Sequence, residues 1–118
     1  MTKQPSPRMR KVNELLREVI AEEVTQLKDP RLGFITITGV DTAPDLRTAV
    51  VYYSVLGSED ERTATATALA SAASKLQAAL ASQARLKYTP RLTFSVDESI
   101  DIGMRMSKLL RELEESDG

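Results

Sequence analysis

The chain contains neither cysteine nor histidine. Without cysteine there is no disulfide, no thiolate metal site and no cysteine nucleophile, and the composition fits a reducing compartment. Without histidine the commonest general base, proton shuttle and zinc ligand is missing, which removes the central residue of most hydrolases and metalloenzymes. The expectation is a protein that is not an enzyme and needs no cofactor. Glycine is sparse, and Gly33, Gly39, Gly57, Gly103 and Gly118 are too scattered to cradle a phosphate or form a dinucleotide fingerprint. No apolar run reaches the roughly eighteen residues that a membrane helix needs. Met1 to Lys11 is too polar and basic for a secretory leader, so a cytoplasmic protein without membrane contact is expected.

Acidic residues are missing from one long stretch, Arg62 to Phe94. This alanine-rich segment places Leu69, Ala73, Leu76 and Leu80 at helical spacing, giving one apolar stripe while the other faces stay small. As a single straight helix to Tyr88 it would be roughly 40 Å long. A compact chain of this size has a radius of gyration of about 13–14 Å, so a sphere would be only about 35 Å across. A break is therefore expected, and Ala72-Ala73-Ser74 is the place for it.

At 118 residues the chain is expected to form one domain able to bury about two thirds of its unfolded surface. Its net charge is −1, but the charges are not evenly mixed. Arg8, Arg10, Lys11 and Arg17 cluster at the front, and Lys75, Arg85, Lys87 and Arg91 follow the alanine-rich stripe. Glu112, Glu114, Glu115 and Asp117 collect at the end.

Ser6 suits a helix cap and Pro7 a first helical position. Met9, Val12, Leu16, Val19, Ile20, Val24 and Leu27 then mark one apolar face of a first helix ending near Lys28. Arg8, Arg10 and Lys11 sit where the helix dipole disfavours cations by about 0.3–1 kcal/mol apiece. A frayed basic helix start and an anion-docking site account for them about equally. Asp29-Pro30-Arg31 reads as a turn.

Phe34 to Val40 alternates, with Ile35 and Ile37 on one face and Thr36 and Thr38 on the other, and Gly39 marks a bulge. After the turn residues 41–45, Leu46 to Leu56 alternates again, with Ala49, Val51, Tyr53 and Val55 on one side, so the two strands form a hairpin. Tyr52 points the other way. It could stack bases, but covering apolar surface is the commoner use of such a tyrosine. Leu92, Phe94 and Val96 alternate in a third strand, which a helical crossover from the second would make parallel to it, giving a mixed sheet. From Glu98, Ile102, Met106, Leu109 and Leu113 have the spacing of a last helix. Asp97, Glu98 and Asp101 could be read as oxygen ligands for a hard cation. Capping and the dipole explain acids at a helix start more simply, so no metal is expected.

The resulting order is α-β-β-α-kink-α-β followed by a C-terminal helix, an α+β arrangement with the element order of a type II K-homology domain. The usual Gly-x-x-Gly clamp for nucleic acid is absent, because no glycine lies between Gly57 and Gly103. Residues 1–8 read as a disordered basic N-terminus, 9–113 as a single K-homology-like domain and 114–118 as a short acidic tail.

Three separated motifs, Asp29-Pro30-Arg31-Leu32-Gly33, Pro44-Asp45-Leu46 with Ala49-Val50-Val51-Tyr52, and Pro90-Arg91-Leu92-Thr93-Phe94 with Asp97-Glu98-Ser99, closely resemble the bacterial ribosome-binding factor A family. The resemblance covers Met9 to Leu113. It implies a type II K-homology fold whose glycine loop is replaced by a helix kink, here at Ala72-Ala73-Ser74, with Ser74 where the family usually has glycine. Gln77 and Lys87 stand where the family commonly has arginine. The resemblance further implies a non-catalytic, monomeric assembly factor that binds the free 30S ribosomal subunit, aids late maturation of its 16S RNA and supports growth in the cold. On that reading Arg8, Arg10, Lys11, Arg17, Lys75, Arg85, Lys87 and Arg91 would neutralise RNA phosphates. Two rival expectations are a generic single-stranded RNA-binding module and a protein-interaction module using the acidic C-terminal helix.

Overall fold

The computed structural model describes residues 5–98 and 109–113. In chain order its elements are α1 (Pro7–Thr25), β1 (Phe34–Thr42), β2 (Thr48–Leu56), α2 (Glu59–Gln83) and β3 (Arg91–Val96). Residues 109–113 are helical as well. The remainder of the expected last helix, with Asp101, and the acidic tail lie outside the described residues.

α1 starts as its sequence dictates. Ser6 Oγ accepts the Met9 N–H at 3.2 Å and Pro7 occupies the first turn. Arg8 therefore lies inside the helix. Leu16, Ile20 and Val24 form its buried stripe. The helix closes at Thr25, short of Lys28, because the Gln26 and Leu27 amides bond to the carbonyls of Glu23 and Val24 in a tightened last turn. The turn that follows is held by Asp29, whose Oδ1 accepts the Arg31 amide at 2.9 Å.

The three strands form one sheet in the order β1-β2-β3, with β1 antiparallel and β3 parallel to central β2. Ile37 pairs with Tyr53 and Gly39 with Tyr52, so Thr38 is an extra, bulged residue. This resets the phase of the strand. Ile37 is inward before the bulge, while Val40 and Thr42 are inward after it, each buried. β2 needs no correction and buries Ala49, Val51, Tyr53 and Val55 on one side.

The expected division of the central segment into two helices at Ala72-Ala73-Ser74 is not found, because α2 runs through it as a single α-helix of 25 residues. Alanine is the best helix former, and no proline or glycine interrupts the segment. Ser74 keeps a right-handed backbone, since Leu46 is the one described non-glycine residue with positive φ. The domain is not a sphere, so the width of a sphere sets no limit on the helix. A crossover between parallel strands must return the full length of β2, about 30 Å, and α2 does so in about 37 Å.

Ser58 and Glu61 form a reciprocal capping box at the start of α2, with Glu59 and Asp60 in its first turn. Thr65, Ala68, Leu69, Leu76 and Leu80 are its buried residues. Thr65 is fully buried, yet its hydroxyl is used twice. It accepts the Gly33 N–H at 3.1 Å and donates to the Glu61 carbonyl at 2.9 Å, fastening the loop before β1 to α2. Both helices cover the same sheet face, where Leu16, Ile20, Leu69, Leu76 and Leu80 meet Ile37, Val51, Tyr53 and Leu92 in one core. Among the described residues no helix is long and apolar enough to cross a membrane.

Candidate nucleic-acid interface

A phosphate-binding surface needs cations that share a side of the molecule and are not cancelled by neighbouring carboxylates. The front cluster meets this only in part. Arg10 and Arg17 are two helical turns apart and therefore lie on one side of α1. With Asn13, Glu14, Thr38, Gly39 and Val40 they line a cleft of about 320 Å³ between the helix and the bulge of β1. Arg8 and Lys11 are exposed elsewhere on the helix surface, with Lys11 turned about 100° from Arg10.

Within the cleft the two arginines differ. Arg17 grips Glu14, with Nε 3.0–3.1 Å from the two carboxylate oxygens and an ion pair through Nη2. The hydrogen bonds from Arg17 hold the Glu14 carboxyl below its usual range and raise the pKa of the guanidinium. Arg17 is thus already half neutralised. Arg10 donates from Nε to the Pro5 carbonyl at 3.3 Å and stands at the mouth of the cleft. Asn13 ties this end of α1 to the sheet, its Oδ1 accepting the Thr42 amide at 2.9 Å.

The second cluster surrounds the chain between α2 and β3. Ala84, the residue after α2, is extended, and Arg85, Lys87 and Tyr88 are exposed beyond it. The cation absent from the sequence-based set is Arg47. Its guanidinium carbon lies 4.9 Å from the centre of the Tyr88 ring, and Lys87 Nζ lies 5.5 Å from the same point. The Arg47 carbonyl accepts the Arg91 amide at 2.9 Å. The hairpin tip and the 85–91 segment are therefore clasped together, with a cation–π contact at their centre. Pro44-Asp45-Leu46 marks the turn, but nothing local to Arg47 shows that it will meet Tyr88, so distant in the chain.

Arg91 also lines a shallow cleft of about 480 Å³ with Ser74, Gln77, Ala78, Ala81 and Thr89. Ser74 and Arg91, singled out for separate reasons, share one surface. Ala73 opens instead onto a cleft of about 320 Å³ beside Leu92, Thr93 and Phe94. Lys75 is exposed on α2, next to Ser74.

Register brings the two clusters to one end of the domain. Thr42 pairs with Ala49, and Thr48 pairs with Arg91. The N-terminal half of α1, the hairpin tip and the start of β3 are thus neighbours, and Arg10, Arg47, Lys87 and Arg91 lie at the same end. Two acids share it. Asp45 is engaged, its Oδ1 accepting the Arg47 amide at 3.1 Å, and Asp41 is exposed on β1. Tyr52 lies half-buried on the sheet face opposite the helices and is not part of this surface. Among the described residues no group of three acidic side chains is placed to hold a metal.

The family model described as Ribosome-binding factor A matches residues 8–110. Ribosome-binding factor A of Geobacter sulfurreducens is 44% identical over 112 residues, covering 94% of this chain and 95% of that protein. The crystal structure of ribosome-binding factor A from Thermus thermophilus superposes with a TM-score of 0.67 at 33% identity, over 75% of this chain and 94% of that one. A homology model of the Thermus thermophilus factor, fitted into a cryo-electron microscopy map of a 30S complex with that factor, matches with a TM-score of 0.61 at 32% identity. It covers 73% of this chain and 91% of that one.

Proposed function

Because this chain belongs to the ribosome-binding factor A family, we propose that it binds the free 30S ribosomal subunit through its 16S RNA, acting in the cytoplasm as a non-catalytic assembly factor. The observation that carries this reading is the gathering of Arg10, Arg47, Lys87 and Arg91 at one end of the domain by strands that are distant in sequence. A relative's fit into a 30S complex supports the same partner. Late maturation of the 16S RNA and growth in the cold are the steps in which the factor would act.

The fold is the platform and the cations do the positioning. Each phosphate they neutralise releases a condensed counterion, so affinity falls as salt rises. With no Gly-x-x-Gly clamp for a single strand, recognition proceeds by RNA shape and backbone contacts. Lys11, Arg8, Lys75 and Arg85 lie outside the clefts beside Arg10 and Arg91 and add to the field around them. Arg17 contributes least, since Glu14 competes for its guanidinium.

The test is co-sedimentation of the purified chain with free small subunits, free large subunits and joined ribosomes at low and moderate salt. Selective pelleting with free small subunits that weakens as salt rises is expected. Charge reversal at Arg10 with Lys11, or at Arg85 with Lys87, should weaken it further and lower the salt slope by about 0.9 for each phosphate no longer neutralised. Equal pelleting with all three particles, or with none, refutes the reading.

A further inference from the structure

At the end of the sheet away from the cations, Phe34 stands directly opposite Leu56 in the β1–β2 register. Both point to the face that α1 and α2 do not cover, being out of phase with the buried Ile37 and Val55. They are 82% and 60% exposed. Two large apolar side chains side by side in water are unusual for a cross-strand pair, which ordinarily shields itself against neighbours on the same face. Their sheet neighbours are short and polar, Thr36 and Ser54 being the next pair on that face.

The surroundings of the pair are acidic. Glu59 and Asp60 open α2 just beyond Leu56, and Glu61 is held nearby by the Ser58 cap. Glu98, exposed, comes two residues after the last β3 pair, Val96 with Tyr53, near the level of Val55. Arg31, in the loop before Phe34, is ion-paired with Asp29. Arg62 lies in the same opening turn of α2, but the acids outnumber it, so the apolar pair sits beside a net negative edge, at the opposite end of the domain from Arg10, Arg47 and Arg91.

We propose that Phe34 and Leu56 form a docking site for a protein segment that carries an apolar side chain between lysines or arginines. Charge decides among the possible occupants. A phosphate backbone would be repelled by Glu59, Asp60 and Glu98. A second copy of the chain would bring the same acids to the same place. The chain's own residues 109–113 offer Leu109, Leu110 and Leu113, but Arg111 and Glu112 between them cancel, so this segment brings no net positive charge to the acids. A cationic polypeptide satisfies both the apolar pair and the negative edge beside it, since specificity in such interfaces comes from complementary potential around a desolvated anchor. The domain then has two working ends, one for RNA and one for a basic protein on the same particle. The source of that protein, the small subunit, rests on the function proposed above.

The experiment uses the full chain with the photoreactive residue benzoylphenylalanine replacing Phe34 or, separately, Leu56. Each is bound to purified free small subunits and irradiated. A crosslink to a subunit protein, within a lysine- or arginine-bearing segment, is expected. The double variant Phe34→Lys with Leu56→Lys should bind those subunits about tenfold more weakly. Phe34→Leu, which keeps the apolar surface, should bind within about twofold of the natural chain. A thermal melt of each variant shows that the fold is intact, as exposed positions allow. Crosslinks only to RNA, to an acidic segment, to residues 99–118 of the same chain or to a second copy, or no crosslink in a complex that does form, overturn the docking site and leave the proposed function standing. Failure to form any complex at low salt overturns both.

Discussion

Deletion of Thr38 should leave the sheet standing, although it removes a residue from the middle of a strand. Ile37 pairs with Tyr53 and Gly39 with Tyr52, so the residues flanking Thr38 already occupy successive rungs of the β2 ladder. Joining them slides neither half of β1. The shortened strand would read Ile35, Ile37, Val40 and Thr42 on one face in unbroken alternation, the phase that the bulge now enforces. The Thr38 hydroxyl is buried without a partner, a burden of about 1–3 kcal/mol that the deletion lifts. One residue fewer has to be ordered, worth another 1–2 kcal/mol or so. Against these stand the packing that Thr38 now provides and the strain of flattening a twisted edge, so the net change should lie within about 1.5 kcal/mol of zero. Deletion of Thr36 is the control. It makes Ile35 and Ile37 adjacent, and adjacent residues cannot share a face, so one isoleucine turns to water at a cost of about 1.5–3 kcal/mol. Urea unfolding of both variants, read from the midpoints at equal slope, decides the matter. If loss of Thr38 costs as much as loss of Thr36, or changes the slope, the bulge is not a simple correction of phase. Because Thr38 and Gly39 line the cleft with Arg10, the stable variant should nevertheless bind small subunits less well.

Gly57 has φ near 145°, and a Cβ there would lie 2.9 Å from Oε2 of Glu61, the carboxylate of the capping box. Gly57→Ala should cost about 2–3 kcal/mol in urea, and less but not nothing when Glu61→Ala is also present. A change under about 0.5 kcal/mol would show that the turn relaxes freely. Asp29 is held at about 2, against an ordinary 3.8, chiefly by hydrogen bonds from the Arg31 side chain and amide. A depressed carboxyl stabilises the fold above its unfolded value and stops doing so as pH falls through the folded one. The stability difference between the natural chain and Arg31→Ala should therefore be constant above about pH 4 and shrink towards pH 2, with carbon-detected titration of Asp29 as the direct check. Arg47→Met should lower the melting temperature by about 2–5 °C, since the Tyr88 ring then has no guanidinium over it. It should also lower the salt slope of subunit binding by about 0.9; an unchanged slope would make Arg47 a clasp and nothing more.

Much of the fold is legible in the chain. Ser6-Pro7 places the start of α1, alternation places all three strands, and the crossover rule makes β3 parallel to β2. Gly39 flags the irregularity in β1, but the extra residue is Thr38, because a bulge is defined by what lies opposite it in β2. The expected break in α2 follows from the size of a sphere, whereas the relevant length is that of the strand the helix must run back along. The candidate site is legible as a set of cations and not as a surface. Arg10 with Arg17, and Arg91 with Ser74, are brought together, while Arg8 and Lys11 face elsewhere. Arg47 carries no local signal, because its partner, Tyr88, lies beyond α2.

Caps, periodicities and the absence of cysteine, histidine and a glycine loop belong to the chain as a string. They depend on energies between residues a few positions apart, or on chemistry that is present or missing outright. The same string, through three separated motifs, carries the family. Which cations share an end, which of them a carboxylate disarms, and why Phe34 faces water opposite Leu56 rather than the core depend on register and on the return path of α2. Those are set by contacts between residues far apart in the chain, whose loop-closing cost is repaid only when the whole sheet and both helices are in place. No local pattern encodes them.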